Sequence, residues 1–444
     1  MDEGAELVEA AEALIKEAKE LKGQVETLTD TYGEPLDGCQ KLSRKVDSEI
    51  KFISQKLKSN KLKESYVNCS NMPFLKSVGS AAKLFPLVTS ILTPFQPTED
   101  FAAIGEEIIP TVIDVVANEG FVWVKVVARN AEGLWNNWTG NCEMSHRSLE
   151  EQLEELLSLA ELCPVYFRKP TVAVFFSNAI FRKMAEEIEE MGVKVFGYIR
   201  DEASSNSEKV TFRDPSRSDI FGDSSVILNT RFRNQSFLNE FEVVNLDVST
   251  ILALCSNLTH GYCDWVLPNS TVLNMQVADE LEHYGQLWNE LDSFLSGKRL
   301  VCCETAYTSY TNILTVIGGE KEKMRSKKLF QKIEVIPDID SPTVDKVPVS
   351  SAVKDRSKII FGTGFELKAA TVTSNLSCIR SMRQIGIYFP VFAHVARALT
   401  EQKEAKAEKK ERQSSVEWNY TSDGSSSDVC SCYLCSYSAP EITN

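Results

Sequence analysis

Several features that would assign this 444-residue chain to a familiar class are missing from its sequence. The segment that begins at Met1 is acidic and has no basic stretch before an apolar run, as a secretory signal would have. No apolar run reaches membrane-spanning length, because Lys83, Pro86 and Pro94 interrupt the longest candidate, residues 75–95. We therefore expect an intracellular protein, cytoplasmic or nuclear, without a membrane-spanning segment.

Metal-binding side chains of the zinc type and an excess of positive charge are also lacking. The candidate ligands Cys255, His260, Cys263 and His283 do not have the paired Cys-x-x-Cys spacing of a structural zinc site. The formal net charge of −15 argues against a protein that coats nucleic acid, because phosphate binding depends on clustered Lys and Arg. It does not exclude an enzyme that meets phosphates through a metal ion held by carboxylates.

The first part of the chain predicts two helices followed by a small mixed sheet. Apolar residues spaced three and four apart predict helices from Glu3 to Lys22 and from about Cys39 to Leu62, which pair as a hairpin. Residues 112–128 predict two strands joined at a turn. The pattern strand, helix, glycine and strand that follows is typical of a parallel βαβ unit. The charged faces of the two helices either bind a protein partner or face solvent.

Two charged residues on the predicted strand pair need a functional interpretation. Asp114 on the first strand and Lys125 on the second resemble the acid and the lysine of restriction-endonuclease-like folds. Such sites have a second carboxylate two residues before the lysine, and that position is Trp123 here. We therefore favour a binding or scaffolding role for this region over catalysis.

Composition suggests where the chain divides. Ser, Asp, Asn and Arg dominate residues 201–239, which is typical of a flexible connection between domains, and the end of the chain is charged and then rich in Ser and Cys. We predict disorder for this tail. The predicted organisation is a helical hairpin (1–66), a small α/β domain (67–200), a linker (201–239), a second α/β domain (240–400) and a tail (401–444).

In the second domain, acidic residues follow two predicted strands. The segment from Phe241 to Leu246 predicts a buried strand that delivers Asp247 to its tip, and the strand from Arg299 to Cys303 delivers Glu304 in the same way. An acid in this position either caps the next helix or binds a cation. Because adjacent strands are about 4.8 Å apart, two such acids on neighbouring parallel strands would reach a shared Mg²⁺ or Mn²⁺.

Two further stretches suggest contacts with phosphate. Residues 357–364 predict a strand that ends in a Gly-Thr-Gly turn around Thr363, where backbone N–H groups could approach a phosphate, although so short a motif is weakly specific. The basic cluster of residues 321–332 includes Lys327 and Lys328. It either guides a phosphate backbone towards Glu304 or is the solvated face of a helix.

These segments resemble the domain-of-unknown-function 1308 family of uncharacterised eukaryotic proteins. The residues that carry the resemblance are Asn245-Leu-Asp-Val-Ser-Thr250, Cys303-Glu-Thr305, Ile360-Phe-Gly-Thr-Gly364, Leu367-Lys-Ala369 and Arg397-Ala-Leu-Thr-Glu401. The segment from Val112 to Asn118, together with Trp123-Val-Lys125, resembles the amino-terminal part of the same proteins.

The second half also resembles a PIN-type nuclease domain. That resemblance implies a three-layer α/β/α domain with a mainly parallel sheet, three or four acids at the strand tips, Mg²⁺ or Mn²⁺, and RNA cleavage. Asp247 and Glu304 then match the first two acids and would be catalytic metal ligands. The place after Gly-Thr-Gly is Phe365 where the pattern has Asp, which leaves Glu366 and Asn375 as weaker ligands. Substrate contacts are expected from the residues Thr250, Thr363, Lys368, Lys327 and Lys328.

The sequence therefore leaves two functions open. One is a metal-dependent ribonuclease of PIN-like type with an incomplete acidic site, and the other is a non-catalytic adaptor that binds RNA or protein through the same cleft. Losing a ligand from such a metal site costs orders of magnitude in rate, so the incomplete acid set keeps both open.

Overall fold

The chain forms two compact units in a computed structural model. Unit 1 comprises residues 1–227 together with 380–388, and unit 2 comprises residues 228–379 and 389–444. The structure describes residues 3–29, 33, 35–95, 111–140, 147–201, 210–221 and 236–409. The Ser- and Cys-rich part of the predicted tail, and the disorder predicted for it, lie outside these residues.

Unit 1 contains seven helices and six strands within its described part. The helices are α1 (Glu3–Glu26), α2 (Cys39–Lys58), α3 (Glu64–Asn68), α4 (Met72–Leu84), α5 (Ala131–Trp138), α6 (Leu149–Leu162) and α7 (Arg182–Glu190). The strands are β1 (Ser90–Phe95), β2 (Thr111–Ala117), β3 (Val122–Val127), β4 (Thr171–Phe181), β5 (Lys194–Arg200) and β6 (Val210–Arg213).

The predicted pair of amino-terminal helices is present. Helix α1 packs against α2 because each buries one apolar stripe, and α4 joins them over one face of the sheet. The buried residues of the pair are Ala11, Ala18, Leu21, Val25, Leu42, Val46 and Ile53. Helix α2 ends at Lys58, four residues before the predicted end, and the chain then forms the short α3.

The six-stranded sheet of unit 1 is mixed. Its strand order follows the chain from β1 to β6; β3, β4 and β5 are parallel to one another and the other neighbours are antiparallel. The predicted turn between β2 and β3 is confirmed, and Asn118, Glu119 and Gly120 all adopt positive φ there. The βαβ unit is β4, α7 and β5. Residues 210–213, which composition assigns to a flexible connection, form the edge strand β6 instead.

Unit 2 is also an α/β unit. Its helices are α8 (Val248–Cys255), α9 (Thr271–Glu282), α10 (Gln286–Leu295), α11 (Glu304–Ile317), α12 (Glu320–Leu329), α13 (Pro342–Asp345), α14 (Asp355–Glu366), α15 (Leu376–Arg383) and α16 (Glu401–Glu404). Its strands are β7 (Val243–Leu246), β8 (Trp265–Val266), β9 (Arg299–Cys303), β10 (Ile333–Ile336), β11 (Ala370–Thr373), β12 (Val391–Ala393) and β13 (Glu408–Lys409). Helix α15 begins in unit 2, and its residues from Arg380 onward group with unit 1.

The main sheet of unit 2 has five strands in the order β10-β9-β7-β11-β12, and all four neighbouring pairs are parallel. Alternate residues of a strand face opposite sides of a sheet. Val244 and Leu246 accordingly belong to the apolar core that includes α8 and α10, whereas Asn245 donates to the carbonyl of Ile360 on α14. Helices therefore cover both faces, and the predicted mainly parallel α/β architecture is confirmed.

Two local predictions in unit 2 are wrong. Residues 357–364 are part of helix α14 and not a strand, so Gly362-Thr-Gly364 is not a turn that exposes backbone N–H groups. A Cβ atom at Gly364 would lie 2.4 Å from the hydroxyl of Thr371 and 2.6 Å from Nδ2 of Asn245. This glycine therefore allows the helix to approach the sheet closely. Its sequence context resembles a phosphate-binding loop, but the glycine is needed here for packing.

The charged segment after Glu401 is partly folded. Helix α16 covers residues 401–404, and β13 pairs with β8 in a small antiparallel ribbon. Across the part of the chain that the structure describes, every helix is too short or too polar to cross a bilayer.

Candidate functional site

The strand order of unit 2 creates one topological switch point. The chain adds β9 and β10 on one side of β7 and then returns to add β11 and β12 on the other side. In open parallel sheets the connections leave in opposite directions at such a point, and ligands bind in the resulting crevice beyond the carboxyl ends of the strands. The residues that follow β7 and β11 therefore form the candidate site.

Asp247 occupies the tip of β7 and is 8% exposed. It is the N-cap of α8, and one carboxylate oxygen accepts a hydrogen bond of 2.7 Å from the backbone N–H of Val248. The other oxygen accepts hydrogen bonds from the hydroxyl of Ser249 at 2.7 Å and from the hydroxyl of Thr373 at 2.6 Å. Both oxygens are thus engaged by donors from unit 2 itself.

A chain of polar groups continues from Asp247 along the tip of β11. The hydroxyl oxygens of Ser249 and Thr373 are 3.3 Å apart, and they accept from the backbone N–H groups of Ser374 and Asn375, each at 3.0 Å. The side-chain oxygen of Asn375 accepts from the hydroxyl of Ser377 and from the N–H of Cys378. The predicted ligand Asn375 therefore lies close to Asp247 in the fold, but its oxygen caps the start of α15.

Thr250 lies one turn inside α8 and is fully buried. Its hydroxyl donates to the carbonyl of Val372 at 2.6 Å and lies 2.8 Å from Nε2 of His394. Burial lowers the pKa of His394 to about 4, so the ring is neutral at physiological pH. Thr250 connects β11 and β12 beneath the crevice, where it cannot reach a substrate without unpacking the sheet.

Glu304 lies at the tip of the neighbouring strand, as predicted. The register pairs Asn245 with Val301, which places Asp247 level with Cys303 and Glu304 one residue further. Glu304 is exposed in the first turn of α11. The prediction that two acids follow neighbouring parallel strands is therefore confirmed for the backbone, while the two side chains have different surroundings.

Asp338 is an acid at the third strand tip that the sequence interpretation missed. Its carboxylate accepts from the backbone N–H of Thr305 at 3.0 Å and from the hydroxyl of Thr305 at 2.7 Å. Burial alone would raise the pKa of Asp338, but these two donors lower it below its usual value. The sequence signal for Asp338 is weaker than that for Asp247, because Pro337 separates Asp338 from β10 and this strand is half exposed.

Three predicted residues on or after α14 have other roles. The buried hydroxyl of Thr363 accepts from the backbone N–H of Ile339 at 3.1 Å, and Glu366 accepts from the hydroxyl of Ser341 at 2.6 Å. Lys368 is exposed just beyond the helix and has a φ of 51°. Thr363 and Glu366 thus fasten α14 to the segment after β10.

The predicted basic residues Lys327 and Lys328 are exposed in the last turn of α12. Only four residues separate Lys328 from the first residue of β10, so this turn lies at the amino ends of the strands. Asp247 and Glu304 follow the carboxyl ends. The two lysines are therefore on the opposite edge of the sheet from the crevice.

The residues at the strand tips do not match a preformed metal site. Within the described ranges, no group of three or more His, Cys, Asp or Glu side chains is arranged to hold a metal ion. Asp247 and Asn375 direct their oxygens to internal donors, and Glu366 bonds Ser341. A hydrated Mg²⁺ or Mn²⁺ would therefore have to share these oxygens with donors that already occupy part of their lone pairs.

Unit 1 contains a second buried acid, in a different setting. Asp114 of β2 is 4% exposed, and its carboxylate lies 3.3 Å from the ammonium of Lys125 on β3 and accepts from the N–H of Val126 at 2.8 Å. Burial raises the pKa of Asp114, while Lys125 and Val126 act in the opposite direction. Trp123 is fully buried, so the pair has no second carboxylate at that position.

Fold and site together define an α/β protein whose second unit has a parallel five-stranded sheet and a polar crevice at its switch point. Such folds serve many functions, so the architecture alone assigns none. Residues 244–408 match the model of a family described as a protein of unknown function, DUF1308. Residues 7–221 match a separate model, described as a family of unknown function, DUF5614.

One relative comes from a virus. An uncharacterized protein of Acanthamoeba polyphaga mimivirus is 29% identical over 133 residues, which cover 29% of this chain and 35% of the viral protein. The match thus spans about a third of that relative's length. No solved structure matches the chain. The resemblance to the DUF1308 family is confirmed, and neither family description names an activity.

Proposed function

We propose that unit 2 is a non-catalytic binding module and that the chain acts as an adaptor. One observation carries the proposal: both oxygens of Asp247 accept hydrogen bonds from Val248, Ser249 and Thr373. A carboxylate held in this way stabilises the start of α8 and ties β7 to β11. The three hydrogen bonds occupy three of the roughly four lone pairs of this carboxylate, so a catalytic metal would compete with internal donors for Asp247.

The charge of the strand tips favours a protein partner over RNA. Glu304, Asp338 and Asp340 are exposed beyond β9 and β10, and the pKa of Asp338 is lowered, so it remains ionised. Without a bound cation, an acidic edge repels phosphates and attracts Lys and Arg. The partner of this edge is therefore a basic segment of another protein.

A second candidate, metal-dependent RNA cleavage, is supported by one specific observation. Three neighbouring strands, β7, β9 and β10, end in Asp247, Glu304 and Asp338, and consecutive acids at one edge are the ligands that Mg²⁺ or Mn²⁺ uses. When bound, such a cation would supply Lewis-acid activation of water and of phosphate. In this candidate the three acids would hold the ion, and Asp247 would share its oxygens between the ion and its internal donors.

A calorimetric titration with Mn²⁺ separates the two candidates. We expect no saturable heat for the full-length protein or for Asp247→Asn, and no cleavage of a labelled single-stranded RNA. Saturable binding by the natural protein that Asp247→Asn abolishes would overturn the adaptor proposal. Circular dichroism of both proteins verifies that the substitution leaves the fold intact.

The binding role has its own measurement. A fluorescent twelve-residue peptide rich in Lys and Arg is titrated into the full chain and into the double variant Glu304→Gln/Asp338→Asn. Removal of two tip charges should weaken binding by about tenfold at low salt. The matched control Glu150→Gln/Glu154→Gln removes two exposed charges from α6. Equal losses in both double variants would show that net charge, and not the strand tips, attracts the peptide.

A further inference from the structure

The second helix of unit 1 carries positive charge that contrasts with the whole chain. Residues 40–63 contain eight basic and two acidic residues, although the formal net charge of the chain is −15. Helix α2 buries Cys39, Leu42, Val46 and Ile53 against its own unit. Packing therefore uses one side of the helix and leaves the other side to solvent.

Five of the ten exposed residues of α2 are basic, and one of the ten, Asp47, is acidic. Successive residues of a helix are rotated by about 100°, which places the buried residues within one sector. The basic residues occupy a broad sector that runs from one flank of the helix to the side opposite the core. The structure gives most of these side chains as exposed and Lys56 as half-buried. The residues of this basic face are Lys41, Arg44, Lys45, Lys51, Lys56 and Lys58.

Within helix α2, all of which the structure describes, neither acidic residue forms an ion pair with the cations of this basic face. Asp47 pairs with Lys22 of α1 at 2.8 Å. Glu49 accepts from the hydroxyl of Ser70 and the amide of Asn71. Among the side chains that the structure describes, the six cations of the basic face make no ion pair. Their charge is therefore available to an anionic partner.

An aromatic pair lies on the same surface. Phe52, 41% exposed, points between the lysines of α2 and contacts Tyr66 of α3 edge to face, with ring centroids 5.3 Å apart. The ammonium of Lys56 lies 5.4 Å from the centre of the Phe52 ring and 5.2 Å from that of Tyr66. Phe52 and Tyr66 therefore place an aromatic surface directly beside the cations of α2.

We infer that the basic face of α2, together with Phe52 and Tyr66, binds single-stranded nucleic acid. Proteins that bind single strands combine cations that follow the phosphate backbone with aromatic rings on which unpaired bases stack. Lys41 and Lys58 are about 25 Å apart along the helix, which is long enough for several nucleotides. Because charge is screened within about 10 Å at 0.1 M salt, the acidic remainder of the chain does not cancel a local patch.

Two other anionic partners fit the surface less well. A basic helix that binds a membrane inserts its apolar face, whereas the apolar face of α2 is consumed by the core of unit 1. The bases of a duplex are already stacked and paired, so a duplex would contact the cations but not stack on Phe52. An acidic peptide would likewise need the charges alone. The inference goes beyond the adaptor proposal, because it concerns a different surface and a different partner.

The test measures fluorescence anisotropy of labelled sixteen-residue probes: oligo(U), oligo(dT), a DNA duplex and poly-glutamate. Each is titrated with the full-length protein at several salt concentrations. Two variants probe the two parts of the surface, Lys51→Gln/Lys58→Gln for charge and Phe52→Ala for stacking. The matched control Lys16→Gln/Lys19→Gln removes two exposed lysines from α1, and Phe52→Trp keeps an aromatic ring.

We expect both single strands to bind more tightly than the duplex and poly-glutamate. The double lysine variant should weaken oligo(U) binding by about tenfold and make the slope of log K against log salt less negative by about 1.4, which is roughly 0.7 for each lost phosphate contact. Phe52→Ala should weaken binding by about fivefold or more without changing that slope, since stacking carries no charge. Phe52→Trp should retain the affinity.

Three results would overturn the inference. One is the absence of oligo(U) and oligo(dT) binding at 0.1 M salt or below. Another is an equal loss for the α1 control pair, which would reduce the effect to net charge. The third is equal affinity for poly-glutamate or duplex with no effect of Phe52→Ala, which would leave the aromatic pair without a role. Thermal melting of each variant shows that its fold is retained.

Discussion

The two units each bury one aspartate near a sheet, and they satisfy it by opposite means. In unit 1, Asp114 lies within a strand and pairs with the ammonium of Lys125, and burial raises its pKa. In unit 2, Asp247 lies at a strand tip and receives one backbone N–H and two hydroxyl donors. The difference follows from position, because a helix start offers several unpaired N–H groups, whereas most N–H groups of a strand interior bond within the sheet. Asp114 therefore receives one backbone N–H, that of Val126, and the ammonium of Lys125.

Because both aspartates are accounted for by structural contacts, an acid in or beside a sheet is not by itself evidence of catalysis. A helix N-terminus and neighbouring hydroxyls can hold a carboxylate without any cation, as they do for Asp247. A carboxylate inside a sheet needs a counter-charge, and Lys125 supplies it. Three experiments can break or sharpen this contrast.

The largest effect is expected from Asp114→Ala. It would leave the ammonium of Lys125 and the N–H of Val126 without their partner, which should lower the free energy of unfolding of unit 1 by about 3 kcal/mol. Urea unfolding, followed by hydrogen exchange in β2 and β3, measures the loss in unit 1 separately from unit 2.

The matching control is Asp114→Asn/Lys125→Met. The amide oxygen can still accept from Val126, and no charge remains, so we expect a stability within about 1 kcal/mol of the natural protein. A single variant as stable as the double variant would show that the pair contributes nothing, and the contrast between the two aspartates would disappear.

A smaller loss of stability is expected when the pH is lowered, and unit 2 should lose more stability than unit 1. Burial lowers the pKa of His394 to about 4 and that of His260 to about 3, so the unfolded chain binds their protons more readily than the folded chain. Their contribution to stability is complete above about pH 6.5 and is lost as the pH falls towards the folded-state values. For His394 alone the loss between pH 7.5 and pH 5 is about 2 kcal/mol.

The stability linked to Asp114 depends on pH in the opposite direction. Its pKa is raised in the folded state, so the stability linked to its protonation is present at low pH and is lost as the pH rises through the folded pKa. Hydrogen exchange in β11 and β3 at pH 7.5 and pH 5 compares the two units. His394→Asn, whose amide can still donate to Val395, should remove part of the acid sensitivity of unit 2. Greater acid sensitivity of unit 1 would contradict this assignment.

The smallest effect is expected from Asp247→Ala. Loss of the cap on α8 should cost about 1 kcal/mol, because the hydroxyls of Ser249 and Thr373 are already 3.3 Å apart and can bond each other. The stability of Asp247→Asn, which keeps one acceptor for Val248, should lie between the alanine variant and the natural protein. A rise in stability on removing the carboxylate would point instead to a functional charge that the fold tolerates at a cost, and would favour the nuclease candidate.

Much of the local structure could be predicted from the sequence because it depends on neighbouring residues. The helices α1 and α2, the turn at Asn118–Gly120 and the βαβ unit follow from periodicity and turn chemistry. Residues 357–364 were predicted wrongly because a short apolar run has no period that separates strand from helix. Its two glycines suggest a turn, but Gly364 is needed because Asn245 and Thr371 on neighbouring strands leave no room for a side chain there.

The sequence predicts where the acids of the candidate site lie along the strands, but it does not predict which side chains they contact. The acids Asp247 and Glu304 were placed at adjacent strand tips from the sequence, and the register agrees. Asp338 is absent from the predicted acids, because a proline separates it from β10 and the strand itself is short and half exposed. The partners of Asp247 could not be foreseen, because Thr373 is distant in sequence and reaches it only when β11 lies beside β7.

The sequence alone indicates the helices and strands that have a clear period, and it places acids directly after β7 and β9. Only the tertiary structure decided that residues 380–388 join unit 1, that the donors around Asp247 are internal, and that the cations of α2 share one unpaired face. The physical reason is that hydrogen bonding and burial act between residues far apart in the chain, whereas periodicity records only near neighbours.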